Sequence, residues 1–127
     1  MLISTPISLG ELVDKISILI VKQKNIKDEN KLNHVNKEFN FLNEVLNQHI
    51  KKDDIENYLN DLIVINTKLW IIEDDIRDCE RNKQFDNEFI QLARSVYFTN
   101  DKRAKIKFEI NNKFGSELIE VKSYEKY

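Results

Sequence analysis

Two glycines and one proline in 127 residues constrain this chain more than any motif in it. Average usage would supply roughly fifteen of the two together. Tight turns, hairpins and bulges draw on those residues, so a chain this poor in them is left with long helices and few connections. The reading is all-α: a single-domain bundle of about five helices over residues 1–127, with an extended C-terminal tail. The length suits one core and is too short for two.

Charge narrows the partners. Twenty basic and 22 acidic residues, a net of -2, make a mixed ionic surface rather than a polyanion-binding one, so no nucleic-acid partner is expected. No apolar run approaches the roughly 18 residues of a bilayer span, so no membrane partner is expected. The single cysteine, Cys79, cannot form an internal disulfide and suits a reducing compartment. With no leader-like N-terminus, the expected location is cytoplasmic.

Ser8 with Glu11 forms a capping box, which predicts a first helix over about 9–27. Leu12, Ile16 and Leu19 lie on one stripe and Ile18 and Val21 on the opposite side, so this helix needs cover on both faces and should be central. Asp28 is placed to cap a second helix, whose Leu32, Val35, Phe39, Leu42, Leu46 and His49 follow heptad spacing. A third helix is expected over about 54–82, with Asp53 or Asp54 as its cap and Ile55, Leu59, Leu62, Asn66, Leu69, Glu73, Ile76 and Glu80 on its seam. Heptad seams on two helices favour a homodimer, or else a protein partner. Phe85 to Tyr97 reads as a fourth helix capped by Asp86, and Asn100 or Asp101 as the start of a fifth ending near Gly115. The alternation in RAKIKFEI (103–110) also fits a strand, with VKSY (121–124) as its partner, so 101–124 is either a helix plus tail or a hairpin.

The stretch LWIIEDDIRDCE (69–80) splits on the helical wheel. Glu73 and Arg77 fall on the apolar arc beside Asn66, one turn apart, and are expected to pair inward; Asp74, Asp75 and Asp78 mostly turn outward. A buried glutamate costs several kcal/mol unless satisfied, so Glu73 belongs either to a polar cluster that fixes helix register, the plainer reading, or to a pocket lining. Trp70 flanks the same seam and reads first as a core residue. Asp14 lies between Ile18 and Val21 on the second apolar face of the first helix, where a solvated carboxylate paired to a lysine is the plainer reading. Arg94, Tyr97, Asn100, Asp101 and Arg103 gather around the expected bend between the last two helices. That mixture suits anion or partner binding, or simple capping.

These ten residues, Asp14, Asn66, Trp70, Glu73, Arg77, Arg94, Tyr97, Asn100, Asp101 and Arg103, are the candidates for binding a ligand or partner. No catalytic residue is assigned and no cofactor or metal is expected, because no glycine-rich phosphate loop, nucleophile elbow or Cys/His pair is present. One alternative is metal-dependent. Glu11 with Asp14, and Asp75 with Asp78, are carboxylate pairs three apart, the device by which all-α nucleotide pyrophosphohydrolases hold Mg²⁺. The order of the pairs differs here from the ExxE-then-ExxD pattern of those enzymes.

The segments SLGELVDKISIL, LWIIEDDIRDCE, LARSVYFTNDKRAKIKFEIN and GSELIEVKSY together resemble a family of small bacterial helical proteins, a domain of unknown function marked by ELVDKI, LWxIEDDIR, LARxVYxTND and KSY. The resemblance spans almost the whole chain. It implies a site on Glu11, Asp14, Lys15, Glu73, Asp74, Asp75, Arg77, Tyr97, Asn100, Asp101 and Arg103 rather than on residues 28–60, and an association with sugar-transfer or surface-polysaccharide functions.

Overall fold

A computed structural model describes residues 1–127 and contains four helices and no strand. They are α1 (Leu9–Asn25), α2 (Glu29–His49), α3 (Lys52–Arg81) and α4 (Asn87–Lys113). Three begin on side-chain caps: Ser8 accepts from the Glu11 N–H, Asp28 from Lys31 and Asp86 from Phe89. The third does not. Lys51 occupies its N-cap position without a side-chain bond, and Asp53 and Asp54, expected as caps, lie in the first turn, where their charges oppose the helix dipole.

The expected fourth and fifth helices are one. No Gly or Pro interrupts 87–113, so nothing stops the helix at Asn100 and Asp101, and their side chains bond to Arg103 and Tyr127 rather than capping their own backbone. The strand alternative over 103–110 fails for the same reason. In helical phase Lys107, Ile110 and Asn111 form a buried face and Phe108 an exposed one. Gly115 ends the helix with φ +67°, a left-handed conformation that glycine adopts freely, and the Ser116 N–H returns to the Asn111 carbonyl.

Helix α1 is central, as its two apolar faces require, and packs against each of the other three. The chain runs up and down, placing α1 and α3 parallel with α2 and α4 antiparallel to them. Val13, Ile16, Leu46, Ile55, Leu62 and Ile110 bring all four helices into one core. The heptad residues of α2 and α3 are therefore largely spent inside the chain: Val35 and Leu46 are buried, and Phe39 and Leu42 pack on the core. No helix is long and apolar enough to cross a membrane.

Lengths matter as much as phase. With 17 residues against 30, α1 spans about 25 Å and α3 about 45 Å. The last turns of α3 and the first of α4 thus extend past the end of α1. After Gly115 the chain has no regular structure, and rather than extending away it turns back along α4, touching Lys107 through Glu120 and Asp101 through Tyr127.

Candidate functional site

Asp14 is wholly buried on the face of α1 that meets α3 and α4. Its carboxylate receives Arg103 through two nitrogens, Nε to Oδ1 at 2.9 Å and Nη2 to Oδ2 at 2.5 Å, the bidentate fork that suits guanidinium to carboxylate. Asn66 Nδ2 adds a third bond to Oδ1 at 3.0 Å and also reaches Ser17 Oγ at 2.7 Å. Ser17 closes the ring by donating to the Asp14 backbone carbonyl at 2.6 Å. A desolvated carboxylate is tolerable only with such partners, and Asp14 has three donors from two other helices.

One turn further along α4, Lys107 is also buried. Its ammonium lies 2.7 Å from Glu11, 3.4 Å from Glu120 and 4.0 Å from Asp14. The Asp14 hydrogen bond raises the Arg103 pKa above its ordinary value against the pull of burial. Burial acts to lower that of Lys107, but the bond to Glu11 and the charges of Asp14, Glu11 and Glu120 outweigh it, and the result is also a rise. Both cations stay charged at physiological pH. At the end of this contact the Gly10 N–H donates to Asn111 Oδ1 at 2.7 Å, and a Cβ on Gly10 would lie 2.4 Å from the Lys107 carbonyl oxygen. Only glycine lets α1 and α4 approach so closely.

Above this network, α1, α3 and α4 enclose an open cleft of about 450 Å³ that gathers Asn66, Trp70, Glu73, Arg77, Asn100 and Arg103. Asp14 touches two of these from beneath. Asp74 shares the lining. Trp70 is half-buried at its edge rather than in the core. Glu73 and Arg77 do pair, but not inside: their side chains are 46% and 62% exposed. The wheel placed them in the right direction, yet beside Val21 and Lys22 the helices leave an open cleft instead of a packed seam, so the expected buried pair is a surface pair.

The remaining candidates lie around the corner. Arg94, Tyr97, Asn100 and Asp101 line a larger depression of about 880 Å³ between α4 and the C-terminal segment, with Tyr124 and Tyr127 opposite. The Tyr127 ring stacks edge-on to Tyr97 and Phe98, at 5.4 and 5.0 Å, and its hydroxyl donates to Asp101. That bond pushes the phenol up to about 12. The expected bend is absent, and these residues share one straight stretch of α4. Asn100 belongs to both hollows.

The four carboxylates of the magnesium alternative do not converge. Glu11 and Asp14 are committed to Lys107 and Arg103, while Asp75 and Asp78 are exposed on α3, Asp78 beside Arg81. No three His, Cys, Asp or Glu side chains are placed to hold a metal ion. Lys15, which the resemblance adds, is exposed.

Sequence reasoning missed Lys107, Ser17, Asn111 and Glu120. Lys107 had one signal: it lies a turn from both Arg103 and Asn111, between Ile106 and Ile110, on what becomes the buried face. Asn111 is buried and its Nδ2 has no partner within the chain.

The model for a family of unknown function, DUF6165, matches residues 3–127, and the chain belongs to that family. No curated protein and no solved structure matches it.

Proposed function

We propose that this chain acts by binding rather than by catalysis, as a module that takes a small polar, ring-bearing ligand in the cleft between α1, α3 and α4. The observation that carries this reading is the anchoring of Arg103. Asp14 fixes the guanidinium from below through Nε and Nη2, while Nη1 has only Asn100, at 3.4 Å. A cation held this way is preorganised, with spare donors at the cleft wall. Around it stand a half-exposed indole, two amides and an ion pair open to water, a set that offers one apolar face and several planar hydrogen-bonding groups. Sugars and nucleotide sugars have the matching shape, and the family resemblance, with its association with sugar-transfer and surface-polysaccharide functions, supports the same class.

The test is a thermal-shift screen of nucleotides and nucleotide sugars, each with and without Mg²⁺. A ligand present at a hundred times its Kd adds about 2.7 kcal/mol, which corresponds to a rise of roughly 10 °C for a chain of this size. The rise should vanish in Trp70→Ala and Arg77→Ala. A screen without any shift, or a shift that both variants retain, contradicts the reading. A Mg²⁺-dependent shift lost in Asp75→Asn would favour the metal-dependent enzyme instead.

Assembly is a second reading, supported by Val64 and Ile71, which are 69% and 54% exposed one heptad apart on α3. Light scattering at rising concentration should show a dimer that Val64→Lys dissolves.

A further inference from the structure

A separate cleft of about 280 Å³ lies on the other flank of Arg103, between α4 and the C-terminal segment, lined by Arg103, Ala104, Lys107, Glu120, Lys122 and Tyr124 among others. Two of its cations are held rigidly. Arg103 is clamped by Asp14, and Lys107, one turn along the same helix, is clamped by Glu11 at 2.7 Å. Each keeps donors to spare. The third partner of Lys107 differs in kind from the other two, because Glu120 comes from a segment without helix or strand, stands 3.4 Å away and is shared with Lys122, also at 3.4 Å.

Little else holds Glu120 there. Its neighbours Leu118, Ile119 and Val121 are 48%, 43% and 78% exposed, so none of them is buried and hydrophobic contact anchors the segment only weakly at this point. The other carboxylates near the cleft are committed: Glu11 to Lys107 and Asp14 to Arg103 and Asn66 behind its wall, and Asp101 on the wall to the Tyr127 hydroxyl. Glu120 is the one carboxylate lining this cleft that comes from a segment without regular structure, and it bridges Lys107 and Lys122 there.

We infer that this cleft is an oxyanion site, shaped for the carboxylate or phosphate group of a ligand and held shut by the chain's own Glu120 until that ligand displaces it. The site shares Asn100 and Arg103 with the Trp70 cleft but lies on the other flank of Arg103 and adds Lys107, Glu120 and Lys122, which that cleft lacks. An internal competitor lowers the apparent affinity by the fraction of molecules in which the site is open. Removing the competitor must restore it.

Calorimetric titration of the full-length chain with inorganic phosphate, and separately with acetate, at constant ionic strength, reads this directly. Glu120→Gln keeps the side chain's shape and should bind at least one of the two anions about tenfold or more tighter than the native chain. Adding Lys122→Gln to it should weaken that binding severalfold. Tightening for acetate alone identifies a carboxylate ligand, and for phosphate alone a phosphoryl one. The inference is overturned if Glu120→Gln, shown by its circular dichroism to be folded, binds neither anion more tightly than the native chain, or if the gain survives Lys122→Gln undiminished. Trp70→Ala should leave these titrations unchanged.

Discussion

Two ion pairs in this molecule have nearly the same chemistry and opposite surroundings. Glu73 and Arg77 are one turn apart on α3, half open to water along the wall of a cleft. Asp14 and Arg103 are 89 residues apart in sequence, join α1 to α4, and take in Asn66, Ser17, Lys107 and Glu11. In water an ion pair gains little beyond what solvation already gave its members, and the median exposed pair contributes under about 1 kcal/mol. A buried carboxylate has no such alternative, so every partner removed leaves a charge without solvent. Two pairs alike on a list of contacts therefore differ in what they do: one decorates a cleft, the other fixes the helices that form it.

The comparison breaks most readily at Asp14. Asp14→Ala leaves Lys107 buried and Arg103 three-quarters buried with fewer anions, and should cost about 3–5 kcal/mol in urea denaturation. A loss below about 1 kcal/mol would put Asp14 in the same class as Glu73. Next comes the helix contact that carries the network. Gly10→Ala places a methyl against the Lys107 carbonyl oxygen, a backbone atom that cannot turn aside, and should cost about 2 kcal/mol or more by the same measurement.

The link from the network to the C-terminal segment is weaker and depends on pH. Burial acts to raise the Glu120 pKa, but Lys107 and Lys122 outweigh it and hold the carboxyl below its ordinary 4.5. A depressed pKa contributes stability above 4.5 that is lost as pH falls through the folded value. Because this side chain is 35% exposed, the contribution should be under about 1 kcal/mol. The native chain should thus exceed Glu120→Gln in stability at pH 7 and lose that margin progressively as pH falls below 4.5, whereas a difference independent of pH would remove Glu120 from the network. Smallest of all is Glu73→Ala, which should change stability by under about 0.5 kcal/mol. A loss of 2 kcal/mol there, the value suited to a buried pair, would show that water does not reach Glu73 as described.

Much of this was legible in the sequence, and the omissions have physical causes. Caps at Ser8, Asp28 and Asp86 and the double-faced pattern of α1 announced three helix starts and the central helix. Asp14 and Arg103 were both singled out, but on separate grounds and never as partners, because nothing local to either residue encodes a contact 89 positions away. Asn100 and Asp101 looked like a helix start because their side chains can cap. They sit inside α4 because no glycine or proline enforces a stop. The rotation of α3 was read correctly as far as Leu69; beyond it Ile72 and Cys79 are buried, the expected seam residue Glu80 is exposed, and Glu73 is half-exposed. Periodicity gives the direction in which a side chain points and says nothing of how closely the facing helix packs there. Lys107 escaped notice because a buried lysine is rare without partners, and two of its partners lie in α1 and one in the returning segment.

Double-mutant cycles at both pairs test the central claim most directly, with stabilities of the Ala single and double variants taken from urea unfolding. The account predicts a coupling of about 2–3 kcal/mol between Asp14 and Arg103 and under about 0.5 kcal/mol between Glu73 and Arg77. Equal couplings, or a larger one at Glu73 and Arg77, would contradict it.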